Sequence, residues 1–137
     1  MTKGSPKTVR DAMTESVRTI DAMTTVDEAI RAMRDAGVSS LVVARRDEHD
    51  EFGLLVITDI AREVIAQNRA AERVDVYEIM SKPVLTLPAE MKVKYAVRML
   101  VRFDLSRAVV VDAGREPVGI VTLRDLVLCY GGAESGT

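Results

Sequence analysis

Two heptapeptides carry the residues best suited to chemistry: Gly119-Ile-Val-Thr-Leu-Arg-Asp125 and Gly53-Leu-Leu-Val-Ile-Thr-Asp59. In the first, an apolar strand gives way to a helix from Leu123. Thr122 therefore stands at the strand-to-helix turn, with Asp125 three residues on. A carboxylate at the start of a helix can accept both hydroxyls of a ribose as charge-assisted hydrogen bonds. The Thr122 hydroxyl and the free backbone N–H groups of a helix N-terminus suit a phosphate. The same two residues also read as a helix cap, a hydroxyl followed three residues later by an acid. In the second heptapeptide Val56 stands where Thr122 stands, so the hydroxyl is missing while Asp59 is kept. Thr58 is adjacent but projects in another direction, and it reads as a helix cap.

Other reactive side chains are less telling. Arg107 opens an apolar strand (Ala-Val-Val-Val), so its guanidinium is expected to point out of the core. It reads either as an anion-binding group or as a solvated, salt-bridged arginine. Arg124 reads as a solvent-facing side chain. His49, the one histidine, lies in the charged run Arg45-Arg-Asp-Glu-His-Asp-Glu51, a hairpin tip rather than a metal site. Cys129, the one cysteine, has no partner for an internal disulfide and no metal-type spacing. It reads as a small apolar packer. No Ser-His-Asp or Cys-His set and no P-loop is present.

The elements that position these residues come twice. Shifted by 67 positions, Val17–Val43 falls on Val84–Val110 with nine identities in 27 positions. Ordinary composition would give about two. Asp11-Ala-Met-Thr14 falls on Glu78-Ile-Met-Ser81 in the same register, and the offset drops to 66 for the two heptapeptides. The extra residue belongs in the polar stretch 45–51, where a loop accepts an insertion. The expected organisation is an extension over 1–8, repeats at 9–69 and 76–130, a linker over 70–75 and a disordered tail over 131–137.

Each repeat reads as a short strand, a helix, a hairpin and a second helix. In the first, the strand lies near Arg18–Ile20. Thr25 and Glu28 form a capping box, and Val26, Ala29, Ile30, Met33 and Ala36 recur at helical spacing. Gly37 ends that helix. Strands are expected at Ser40–Ala44 and Phe52–Val56 and a helix over Thr58–Arg69. In the second, strands are expected at Leu85–Leu87, Arg107–Asp112 and Val118–Val121, with helices at Glu90–Phe103 and from Leu123. Pro83 and Pro88 keep helix away from the short strand. The class is α/β (α+β), with two pseudo-symmetric repeats, each a small three-stranded sheet with two helices. A sheet so small has one large apolar face, so the two are expected to pack sheet to sheet.

Composition narrows the function. A chain of 137 residues, 47% hydrophobic with 4% aromatics and no tryptophan, suits one compact aliphatic core. A net charge of −2 with interspersed signs offers no broad basic field for nucleic acid. The N-terminus lacks an apolar signal core, and no stretch approaches the roughly 20 apolar residues of a membrane span. A cytoplasmic protein is expected.

The order of elements, the Met-Thr and Met-Ser dipeptides at Met13 and Met80, the Gly37–Val43 strand entry and the Gly-apolar-apolar-Thr-x-x-Asp form of Gly119–Asp125 resemble the tandem CBS (cystathionine-β-synthase) pair, or Bateman module. The resemblance runs over about residues 9–130. It implies a regulatory sensor that binds AMP, ADP, ATP, NAD or S-adenosylmethionine between the repeats, needs no cofactor, performs no catalysis and pairs into a homodimer. It implies ribose on Asp125, phosphate on Thr122 and Arg107, and the base against Val38, Ser39 and main-chain groups of Arg18–Ile20. A second, weaker site falls to Asp59, Leu105, Ser106, Leu85 and Thr86. The alternative is a dimerisation or protein-interaction module without a ligand. Apolar residues on the outer helices (Ala29, Met33, Val97, Val101, Leu126, Leu128) are expected to leave some surface for self-association.

Overall fold

The computed structural model describes residues 7–15 and 17–134. They form two compact units. The central unit is the continuous segment Arg18–Val84; the terminal unit joins the segment ending at Val17 to the chain from Leu85 onward.

In the central unit, Thr25 Oγ1 accepts the Glu28 N–H at 3.2 Å while Glu28 Oε1 accepts the Thr25 N–H at 3.2 Å. This reciprocal cap starts helix α2 (Val26–Ala36), and Gly37 ends it at φ 69°, a left-handed conformation that a Cβ disfavours. The helix carries the chain from β1 (Thr19–Ile20) over to β2 (Ser40–Val43), which pairs with β1 in parallel. A hairpin then brings β3 (Gly53–Val56) antiparallel to β2, with Ser40 opposite Val56 and Val43 opposite Gly53. Every residue of β2 is buried. Val26, Ala29 and Met33 of α2 pack with Leu41, Val43 and Leu55 in one aliphatic cluster.

From Val56 the chain turns directly into α3 (Ile57–Ile60), which relaxes into a π-helical turn over Ala61–Ile65. The helix expected over Thr58–Arg69 is thus shorter and partly of wider pitch. Its cap position is Val56, so Thr58 is an exposed residue inside the helix and not its cap.

The terminal unit repeats the plan. Its sheet runs β4 (Thr86–Pro88), β5 (Arg107–Val111), β6 (Pro117–Thr122), with β4–β5 parallel and β5–β6 antiparallel. Helix α4 (Val93–Arg102) spans the crossover and α5 (Leu123–Glu134) follows β6. Val93, Ala96, Leu100, Ala108, Val110 and Leu126 are among its core. Helix α4 begins at Val93 rather than Glu90 because the N-terminal segment sets its entry: the Val93 N–H bonds to Lys7 O at 3.0 Å, and Glu90 pairs with Arg10 at 2.9 Å. Helix α5 runs through residues 131–134, which sequence assigned to a disordered tail; residues 135–137 lie outside the described residues.

The segment that opens each repeat serves the other repeat's sheet. Helix α1 (Val9–Ala12) buries Val9 in the terminal core, and Thr14 bridges to Ile120 of β6. Sixty-seven residues on, Val76 joins the central core and Ser81 bridges to Leu54 of β3. Of the outer apolar residues, Ala29, Met33 and Leu126 are core, because helical spacing turns them onto their sheets; Val101 and Leu128 stay 63% and 57% exposed. No helix among the described residues is long and apolar enough to cross a membrane.

Candidate ligand-binding site

In the terminal unit the β5–β6 ladder sets Arg107 directly opposite Thr122. Helix α5 starts there: the Leu123 N–H bonds to Ser106 O at 2.8 Å and the Asp125 N–H to Thr122 Oγ1 at 3.0 Å. The capping reading of Thr122 is therefore realised. It uses one lone pair of the hydroxyl and leaves its proton free to be donated. Asp125 contributes only its amide to the cap. Its carboxylate, half-buried, accepts no hydrogen bond and joins no ion pair among the described residues, and the half-buried Arg107 likewise has no acidic partner there. A hydroxyl donor, an unpaired carboxylate and an unpaired guanidinium thus lie around one strand-to-helix turn. The carboxylate can accept a diol, and the other two can hold an anion.

The central unit repeats the backbone but not the chemistry. Ser40 replaces Arg107 opposite Val56, and the Ile57 N–H bonds to Ser39 O at 3.0 Å. Asp59 is only 8% exposed and both its oxygens are engaged. One accepts the Val56 N–H at 3.4 Å and the other Arg62 Nη2 at 2.8 Å. Arg62 was not among the residues singled out from sequence, although its place three residues after Asp59 on a helix is a spacing at which side chains meet. Leu128 holds the matching position in the terminal unit, so Asp125 has no such neighbour.

The remaining candidates divide between the units. Val38, Ser39, Arg18 and Ile20 lie in the central unit with Asp59; Leu105, Ser106, Leu85 and Thr86 lie in the terminal unit with Asp125. Val38 and Ile20 pack on the central core, while Ser39 and Arg18 are exposed. The main chain of Arg18 and Ile20 is turned to β2, their carbonyls accepting from Val42 and Ala44 at 2.9 and 2.8 Å. Thr19, between them, holds the open strand edge. The same alternation leaves Thr86 at the edge of the terminal sheet, because Leu85 O accepts from Val109 at 3.0 Å. Leu105 and Ser106 are exposed. Among the described residues no group of His, Cys, Asp and Glu could hold a metal ion. Cys129 packs partly buried against the terminal core, and burial pushes its thiol pKa up.

Two three-stranded units with these strand-to-helix turns define a tandem α+β repeat, and comparison with known proteins gives its family. The CBS domain matches residues 9–66 and again 76–132, so the chain belongs to the CBS domain family. It is 33% identical over 104 residues to an uncharacterised protein of Methanopyrus kandleri, covering 75% of this chain and 52% of that protein. It thus spans about half the length of that curated relative and about a quarter of others. Among solved structures, a hexameric CBS-CP12 protein from bloom-forming cyanobacteria matches with TM-score 0.88 and 29% identity, over 98% of this chain and 74% of that one. The CBS domain pair of protein MJ0100, in complex with 5′-methylthioadenosine and S-adenosyl-L-methionine, matches with TM-score 0.75 and 27% identity, over 93% and 98%.

Proposed function

We propose that this chain is a regulatory sensor for an adenosine derivative, such as AMP, ADP, ATP, NAD or S-adenosylmethionine, and that it performs no catalysis of its own. The observation that carries the reading is the Asp125 carboxylate, half-buried and without a partner among the described residues, beside the Thr122 hydroxyl and Arg107. Asp125 would accept the ribose hydroxyls, and Thr122 and Arg107 would meet a phosphate or other anionic group. The MJ0100 CBS pair, bound to two adenosine compounds, supports this ligand class. The Asp59–Arg62 pair supports unequal sites, the Asp59 site being the weaker. Ligand would act by favouring the conformation it fits best. We take the working form to be a homodimer, favoured by the exposed Val127, Leu128 and Tyr130 of α5; sedimentation showing a strict monomer would count against it.

The test is calorimetric titration of nucleotide-free protein with AMP, ATP, NAD and S-adenosylmethionine. Binding of one of these, abolished in Asp125→Ala and little changed in Asp59→Ala, is the expected result. Absence of binding to all four would leave the interaction module as the better reading.

A further inference from the structure

Helices α2 and α4 are repeats of one another, yet their solvent faces are charged differently. On α2, Asp27 and Asp35 flank Arg31, and Asp27 forms an ion pair with it. The matching residues of α4 are Lys94, Arg102 and Arg98. Lys94, Arg98 and Arg102 thus follow one another at i, i+4 spacing, all exposed, with Lys92 at the N-cap. No acid lies between Lys92 and Phe103. Among the described residues none of the four has an acidic partner; Lys94 and Arg98 rest instead over the Tyr95 ring, 5.5 and 5.4 Å from its centre.

A face that only had to be solvated would not be built this way. Like charges at i, i+4 oppose the helix. Lys92 and Lys94 also sit at its positive end, where cations are disfavoured. The sister helix meets the same packing demand with compensated charge. Alongside the stripe, Met91, Tyr95, Arg98, Met99 and Arg102 border an open concavity of about 650 Å³, and Val101 is 63% exposed. Cations set among apolar contacts match a chain that carries carboxylates and apolar anchors together. Of the other apolar residues of α4, Val93, Ala96 and Leu100 are buried in the core and Val97 packs partly buried against it, so the helix has no second apolar face to insert into a lipid surface.

We infer that the solvent face of α4, centred on Lys94, Arg98 and Arg102, docks an acidic, apolar-anchored polypeptide segment of a partner protein. This does not depend on the ligand reading and is tested without ligand. Fluorescence anisotropy of the full chain would be measured with a labelled Glu/Leu peptide, its Gln/Leu counterpart, an oligothymidylate and phosphatidylserine vesicles. The variant Lys94→Asp/Arg102→Asp copies the α2 pattern around Arg98 and should melt no lower than wild type, so lost binding in it is not unfolding. The Glu/Leu peptide is expected to bind, the Gln/Leu peptide not to bind, and the variant to lose about tenfold or more in affinity. Arg34→Glu/Arg73→Glu, which shifts net charge elsewhere, should bind as wild type does. Equal affinity in the α4 variant, no peptide binding, or tighter binding of the oligothymidylate or the vesicles would each overturn the proposal.

Discussion

The Met13 sulfur lies only 2.6 Å from where a Cβ on Gly119 would stand, and Thr14 O lies 2.9 Å from the same point. The Met-Thr dipeptide that opens the first repeat and the glycine that opens the Gly119–Asp125 heptapeptide are therefore one packing unit. The central unit has the same arrangement, with Met80 Sδ 2.8 Å from the Cβ position of Gly53 and Ser81 O at 3.2 Å. Gly119→Ala should destabilise by about 1–3 kcal/mol through overpacking, and Gly53→Ala by less. Removing the thioether in Met13→Ala/Gly119→Ala should restore only part, because the Thr14 carbonyl is backbone and cannot swing aside. Urea denaturation of the wild type and these three variants checks this order.

The two aspartates should separate stability from binding. Asp125 makes no side-chain bond to the rest of the described protein, so Asp125→Ala should change stability by under about 0.5 kcal/mol while abolishing the proposed binding of an adenosine derivative. Asp59 anchors both Arg62 and the Val56 amide, so Asp59→Ala should cost about 1 kcal/mol and leave binding at the proposed Asp125 site intact. Thermal melts run beside the titrations would reveal the crossing pattern.

Thr122 should show both effects. Thr122→Val removes the cap on the Asp125 amide, at about 0.5–2 kcal/mol, and the hydroxyl offered to an anion. Thr122→Ser should restore both. A ligand that gains nothing from the serine variant over valine would remove Thr122 from the binding set.

Acid stability should depend on Asp50. Its carboxylate accepts from Lys82 Nζ at 2.6 Å and from the Arg46 N–H at 2.8 Å, and these contacts, Lys82 first, hold its pKa well below the ordinary value of 3.8. A folded-state pKa below the unfolded one gives stability that is present above the unfolded pKa and lost as pH falls through the folded one. Asp50→Asn and Lys82→Met should therefore flatten the decline in stability below about pH 4, measured as urea midpoint against pH.

Much of this was legible in the sequence because it rests on local rules. Thr25, Glu28 and Gly37 fix the ends of α2 by capping chemistry alone, and the two heptapeptides mark the strand-to-helix turns. What was hidden depends on which segments meet. Glu90 looked like a helix start until Lys7 took up the Val93 amide. Ala29 and Leu126 looked like outer residues until their helices were set on the sheets. Arg62 needed the π turn and the depth of Asp59 to become a partner, and Thr19 became the open edge only through the direction of its strand.

The exchanged opening segments govern where this chain can be divided. A cut in the stretch between the repeats would strand Val76, Ile79 and Met80 away from the central core they complete, and would leave Val9 and Met13 attached to a fragment holding no β6. Neither product would be a domain. The central unit has all its parts once Val84 has emerged from the ribosome, whereas the residues from Lys7 to Thr14 must wait for β6 and α5. The segment from Lys7 to Thr14 is thus made before the central unit and placed after it.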